Sequence, residues 1–155
     1  MSKNINFLLP VDGKPIPLSE VNDYLFNKKI MGEGVAIKPS GDIIYAPIAG
    51  EISVVYESKH AIIIKSEDGL IVLIHVGIDS AKLEGKGFAC YVKVGDKVEA
   101  GDKILYFDRS FVEMNVSDIT PIVITNPEMI ESFDINYDAR KALDTLMQIT
   151  IKWLI

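Results

Sequence analysis

With 155 residues, 48% of them hydrophobic, and a mean hydropathy of +0.22, the chain can bury one full core, which excludes disorder. It is too short for two ordinary domains, so a single domain over residues 1–155 is predicted. Acidic residues outnumber basic ones 22 to 16, a net charge of −6, and no Lys/Arg cluster is interleaved with aromatics, so nucleic acid is an improbable partner and a basic protein a better one.

The N-terminal MSKNINFLLPVDG has only Phe7, Leu8 and Leu9 as an apolar patch, and no later run approaches a membrane span. The expected location is cytoplasmic, without membrane insertion. The single Cys90 agrees with a reducing compartment and is expected to be a small buried hydrophobe. Residues 18–29, LSEVNDYLFNKK, predict a short helix with Ser19 as its cap. The runs DIIYAPI (42–48), EISVVYE (51–57), AIIIK (61–65) and LIVLIHV (70–76) are β-branched and too short for buried helices, and Ser40-Gly41, Gly50 and Asp68-Gly69 punctuate them.

Next comes VKVGDKVEAGDKIL, in which Gly95-Asp96 and Gly101-Asp102 form a weak internal echo. KILYF (103–107) and TPIVIT (120–125) predict two further strands. PEMIES (127–132) fits a single helical turn with Pro127 at its first position. At the C-terminus the propensity of ARKALDTL is helical, whereas QITIKWLI (148–155) alternates as a closing strand would. Many short strands with brief helical turns make the fold class all-β, closed as a sandwich or barrel.

Both histidines flank the hairpin of residues 59–79, KHAIIIKSEDGLIVLIHVGID. A two-residue turn at Glu67-Asp68 or Asp68-Gly69 makes opposed positions sum to an odd number, which puts His60 and His75 on one face, directly opposite or diagonal. Each imidazole alone would be an ordinary half-buried residue. Two meeting on one strand pair leave three chemistries open: a metal pair, an acid/base pair, or a covalent histidine with a helper. Catalytic zinc needs three protein ligands and Asp79 is the only nearby third, so a complete metal site is weakly supported. A nucleophilic imidazole needs one free nitrogen, the other held as a donor, and a polar neighbour, for which Ser58 is placed. Phosphoryl transfer suits such a pair because it is mostly positioning and electrostatics.

The chain resembles the glucose-type IIA proteins of the bacterial phosphoenolpyruvate-dependent sugar phosphotransferase system. The resemblance runs through PIPLSEVNDYLF, MGEGVAIKPSGDIIYAPIAGEI, SKHAIII, LIVLIHVGIDSAKLEGKGF, VKVGDKVEAGDKILYFD and TPIVITN, with HVGID and the earlier histidine as its most specific part. It implies an antiparallel β-sandwich with barrel character. By resemblance, His75 accepts a phosphoryl group, through Nε2, from the phosphocarrier HPr and passes it to a cysteine on the IIB domain of a sugar permease. His60 is then the partner imidazole that contacts the phosphoryl group, and Ser58 matches a threonine whose hydroxyl supports the pair. Asp79 sits where a carboxylate pairs with an arginine of the carrier, and Tyr56, Leu73 and Val76 correspond to an apolar docking ring.

The resemblance assigns no resident cofactor. It allows a regulatory role, in which phosphorylation state controls binding to other enzymes or transporters and His60 and His75 join a partner carboxylate around zinc. The chain departs from the family in Ser80-Ala81 for the usual Thr-Val, in Ser58 for Thr, and in ARKALDTL where a Gly-Asp turn precedes the final strand. A biotin- or lipoyl-carrier domain would share the VKVGDKVEAGDKI turns but needs a lysine on an exposed hairpin tip. A related metallopeptidase would need an HxH pair that this chain lacks.

Overall fold

A computed structural model describes residues 2–152. In chain order they form β1 (Ser2–Leu8), β2 (Gly13–Pro17), a 3-10 turn (Leu18–Glu20), α1 (Tyr24–Asn27), β3 (Glu33–Pro39), β4 (Ile43–Tyr45), β5 (Gly50–Val55), β6 (Ala61–Ser66) and β7 (Ile71–His75). A second 3-10 turn (Ser80–Leu83) leads to β8 (Phe88–Cys90), β9 (Lys97–Val98), β10 (Lys103–Phe107), α2 (Arg109–Asn115), β11 (Thr120–Ile124), a third 3-10 turn (Pro127–Met129), β12 (Ile130–Ile135) and β13 (Thr145–Lys152). All pairings are antiparallel. The fold is mostly antiparallel β, as the sequence predicts.

A seven-stranded sheet, ordered β2-β3-β11-β7-β6-β5-β9, packs against two three-stranded sheets, β1-β13-β12 and β4-β10-β8. Its central strands are covered on both faces. Val35, Ile37, Ile62, Ile64, Val72, Ile74, Ile122 and Ile124 point into the main core with Phe7, Phe107 and Ile149. The alternate residues Ala36, Ala61, Leu73 and Val123 enter a second, smaller cluster with Leu18, Val21, Phe26 and Ile78. Burial on both faces explains why these strands are unbroken apolar runs rather than apolar/polar alternations. His75 has the parity of Leu73, so it belongs to the smaller cluster's face, under the 18–31 segment.

The Gly-Asp echo is a repeated structure. In the turns 93–96 and 99–102 the backbone N–H of Asp96 and of Asp102 bonds back to Lys93 and Glu99, at 3.1 Å each. Each aspartate carboxylate in turn accepts the N–H of the turn's first residue, at 3.0 and 2.8 Å. Gly95 and Gly101 take the positive φ, 96° and 95°, that the third turn position requires. Each turn also grips one residue elsewhere by two backbone hydrogen bonds, Ile52 for the first and Ala46 for the second.

Residues 141–144 make the same turn a third time. Asp144 N–H bonds to the Lys141 carbonyl at 3.0 Å, its carboxylate accepts Lys141 N–H at 3.1 Å, and Leu9 is gripped by Asp144 and Leu143. Leu143 occupies the glycine position at φ 76°. The helical propensity of 139–146 is thus overruled by tertiary hydrogen bonds to Leu9. The Gly-Asp turn is thus repeated here in form, with leucine in place of glycine.

Other elements differ in detail from expectation. The helical stretch over 18–29 is split, and its α-helical turn is capped by Asp23, whose carboxylate accepts Leu25 N–H at 2.9 Å, while Ser19 caps nothing. Pro127 does begin a 3-10 turn, but residues 130–132 join β12 because they pair with β13. The closing strand begins at Thr145, and Trp153, Leu154 and Ile155 of the expected strand lie outside the described residues. α2 was not foreseen, since only Val112 of its seven residues is buried and no amphipathic stripe marks it. Among the described residues no helix is long and apolar enough to cross a membrane.

Candidate active site

The hairpin that carries the histidines turns differently from either predicted register. Gly69 N–H bonds to the Ser66 carbonyl at 3.0 Å, Ser66 N–H to the Leu70 carbonyl at 2.8 Å, and Gly69 has φ 96°. The loop therefore has three residues, 67–69, a type I turn closed by a glycine bulge. Ser66 Oγ also accepts Leu70 N–H at 3.0 Å. In the resulting register Ala61, not His60, faces His75. Regular alternation would then send His60 to the opposite face.

It does not, because β6 begins only at Ala61. Residues 57–60 form a loop in which Lys59 N–H bonds to the Tyr56 carbonyl at 2.8 Å and Lys59 takes φ 59°. Tyr56 N–H reaches past His60 to the Ala61 carbonyl at 3.0 Å. His60 is thus outside the β5–β6 ladder, although its carbonyl still accepts Val76 N–H at 2.7 Å. Its ring swings over His75, edge to face, with centroids 4.8 Å apart. Tyr56 stands edge-on to both, 5.3 Å from His60 and 6.4 Å from His75, and Phe26 of α1 lies 5.3 Å from His75.

The tautomer of His75 follows from its one hydrogen bond. Nδ1 lies 2.7 Å from the Gly77 carbonyl, and a carbonyl only accepts, so Nδ1 carries the proton and Nε2 the lone pair. Gly77 makes this possible with φ 83° and with no side chain, since a Cβ would come 2.8 Å from the Ser117 carbonyl. Burial pushes the His75 pKa below its ordinary value, opposed by the Gly77 carbonyl and the negative charge of Asp23. His60 is almost fully buried and falls further, to about 4, through burial first and the neighbouring His75 second, with the Ser58 backbone pulling weakly upward. Nδ1 of His60 is buried without a hydrogen-bond partner. Both rings are neutral at pH 7, and one presents a nucleophilic nitrogen.

The other predicted residues are placed as follows. Ser58 lies half-buried in the 57–60 loop beside His60, and its backbone opposes the fall of the His60 pKa. Asp79 is exposed, at φ 61°, and pairs loosely with Lys82 at 3.8 Å. Ser80 next to it is buried and donates to the Val76 carbonyl at 2.6 Å, so its hydroxyl holds the loop after β7. Tyr56 is half-buried against both rings.

Leu73 and Val76 need correction as docking residues. Both are 0% exposed, Leu73 in the smaller cluster and Val76 in the main core, so neither offers surface to a partner. The exposed apolar side chains beside the site are Tyr24 (66%) and Leu25 (46%) on the turn that carries Phe26. Asp23 and Phe26 are the site residues that the sequence reading missed. Asp23 three residues before Phe26 was a legible cap signal, hidden by the earlier Ser19. Among the described residues no group of three or more His, Cys, Asp or Glu could hold a metal ion, so a metal at the histidine pair would need a ligand from another molecule.

The sequence profile of the phosphoenolpyruvate-dependent sugar phosphotransferase system EIIA 1 family matches residues 5–130. The chain is 45% identical over 129 residues to the PTS system glucose-specific EIIA component of Oceanobacillus iheyensis, covering 83% of this chain and 78% of that one. It is 38% identical over 136 residues to the PTS system glucose-specific EIIA component of Staphylococcus epidermidis, covering 87% and 82%. Among solved structures it superposes on glucose permease IIA from Mycoplasma capricolum with a TM-score of 0.88 at 33% identity, covering 97% of both chains. An imidazole pair with one free Nε2, on this β-fold and in a chain with these relatives, places the protein in the EIIA 1 family of the phosphoenolpyruvate-dependent sugar phosphotransferase system.

Proposed function

We propose that the protein is a cytoplasmic phosphocarrier in which His75 Nε2 accepts a phosphoryl group from HPr and passes it to a cysteine of a IIB domain. The observation that carries this reading is the 2.7 Å hydrogen bond from His75 Nδ1 to Gly77, which leaves Nε2 as the free nucleophile. On acceptance the bond from phosphorus to the donor histidine of HPr breaks as the bond to Nε2 forms, and Nδ1 keeps its proton. On donation that bond breaks as sulfur attacks. His60, neutral and packed on His75, contacts the phosphoryl oxygens, with Ser58 supporting the loop that presents it. Asp79, exposed at the rim, is suited to a basic side chain of the carrier.

Glucose is the sugar favoured by the names of the relatives, and uptake through a glucose permease is the process proposed. The test is intact-protein mass after incubation with phosphoenolpyruvate, enzyme I and HPr. An acid-labile gain of one phosphoryl group is expected in the wild type and none in His75→Ala. No gain in the wild type, with HPr active on a control IIA, would end the proposal.

A further inference from the structure

We infer that the ion cluster of Lys38, Asp118 and Arg109 is a positioning device for the His75 imidazole, an inference that rests on the reading of His75 as phosphoryl acceptor. The Asp118 side chain is 3% exposed. Its Oδ1 receives Lys38 Nζ at 2.6 Å and its Oδ2 receives Arg109 Nη1 at 3.5 Å. Lys38 lies near the end of β3 and Arg109 is the first residue of α2, so one carboxylate ties a strand and a helix to the segment 117–119. Glu113 of α2 pairs with the same two cations at 2.7 and 3.5 Å.

Two local bonds pin that segment further. Thr120 Oγ1 donates to the Asp118 carbonyl at 2.9 Å, and Ile119 N–H donates to Ser117 Oγ at 3.2 Å. The neighbouring Ser117 carbonyl accepts Ile78 N–H at 2.9 Å in an isolated antiparallel bridge. The same carbonyl presses on Gly77 so closely that only glycine fits. The Gly77 carbonyl in turn accepts the hydrogen bond from His75 Nδ1–H. The route from the cluster to the nucleophile therefore runs Asp118, Ser117, the Gly77-Ile78 peptide, His75, with Ser80 bracing the far side at Val76.

A buried carboxylate between cations is a poor source of stability, because desolvation offsets most of the attraction. It does fix geometry, since its partners hold it from two directions. A purely structural cluster would change stability when altered and leave the His75 tautomer alone. A positioning cluster would release the Gly77 carbonyl and let Nδ1 and Nε2 exchange the proton.

The deciding measurement is the pair of imidazole nitrogen resonances in long-range proton–nitrogen spectra of the full chain, for wild type, Asp118→Asn, Lys38→Met, Lys38→Arg and Ile149→Val. Wild type is expected to show His75 with a protonated Nδ1 and a bare Nε2. Asp118→Asn and Lys38→Met are expected to average the two tautomers and to slow phosphoryl acceptance from HPr about ten- to a hundredfold. Lys38→Arg keeps the cation and should restore both readouts. Ile149→Val, in the remote sheet, should lower the melting temperature without moving the His75 resonances.

If Asp118→Asn and Lys38→Met lower the melting temperature and leave the tautomer as in wild type, the inference is overturned. Should Asp118→Asn fail to fold, Lys38→Met decides, since that side chain is partly exposed. A wild type that accepts no phosphoryl group would remove the reading of His75 as acceptor, while the resonances would still decide whether the cluster positions the ring.

Discussion

The rings of His60 and His75 meet with their planes at 79° and their centroids 4.8 Å apart, and His75 Nδ1 is hydrogen-bonded whereas His60 Nδ1 is not. A proton on His60 would be buried beside a second imidazole, which is why its pKa falls from 6.5 to about 4. Between those values the unfolded chain holds a proton that the native chain does not, so stability rises with pH across the window. It is whole above pH 6.5 and is lost as pH falls toward 4. The lowered pKa of His75 acts in the same direction.

The urea midpoint of the wild type should therefore drop from pH 7 to pH 4.5 more steeply than that of His60→Gln. The difference is on the order of 2–3 kcal/mol. Parallel curves for the two proteins would show that His60 is not the source.

Leu73 and Tyr24 should separate stability from docking. Leu73 is fully buried, so Leu73→Ala should cost about 2–5 kcal/mol in chemical denaturation. Tyr24 is 66% exposed, so Tyr24→Ala should stay within about 0.5 kcal/mol of wild type. In titrations with HPr the order should reverse, with Tyr24→Ala weakening binding and the folded fraction of Leu73→Ala binding normally. A Tyr24→Ala variant that binds HPr as tightly as wild type would exclude the α1 turn from the docking face.

Phe26 packs on His75 with the ring centroids 5.3 Å apart and covers one side of it. Burial is the largest cause of the lowered His75 pKa, so opening that side to water should raise it. Phe26→Leu keeps the fold with a smaller ring-free side chain and should shift the His75 titration upward in NMR. Phe26→Ala should do the same at about 3–5 kcal/mol of stability. A titration unmoved in both variants would mean that the burial comes from His60 and Tyr56 instead.

The central strands were legible because burial on both faces leaves unbroken β-branched runs, as in AIIIK and LIVLIHV. That the histidines would meet was also legible, but the physical reason was not. The prediction relied on alternation through a two-residue turn. The structure has a three-residue turn at 67–69 and brings His60 across because residues 57–60 leave the ladder. These two departures from regularity offset one another, and neither is written in local propensity. The apolar docking ring failed at Leu73 and Val76 for a related reason, since a residue beside a site residue in sequence can lie on the buried side of the same strand. α1 was half legible, with its cap misplaced from Asp23 to Ser19. The 139–144 segment was illegible because its hydrogen bonds go to Leu9, more than a hundred residues away in sequence.

That last segment gives a prediction with an unusual sign. Leu143 holds φ 76° at the position where the sister turns have Gly95 and Gly101, and its side chain is 44% exposed. A left-handed conformation costs a non-glycine residue about 1–2 kcal/mol, whereas glycine adopts it freely but loses about 0.5–1 kcal/mol through a more flexible unfolded chain. Leu143 is too exposed for its packing to offset the strain. Leu143→Gly should therefore stabilise the protein by about 0.5–1 kcal/mol, read as a higher melting temperature, whereas glycine at the neighbouring Ala142 should destabilise it. Equal losses at both positions would mean that the turn relaxes around leucine without strain, and that the Asp144 hydrogen bonds alone determine its shape.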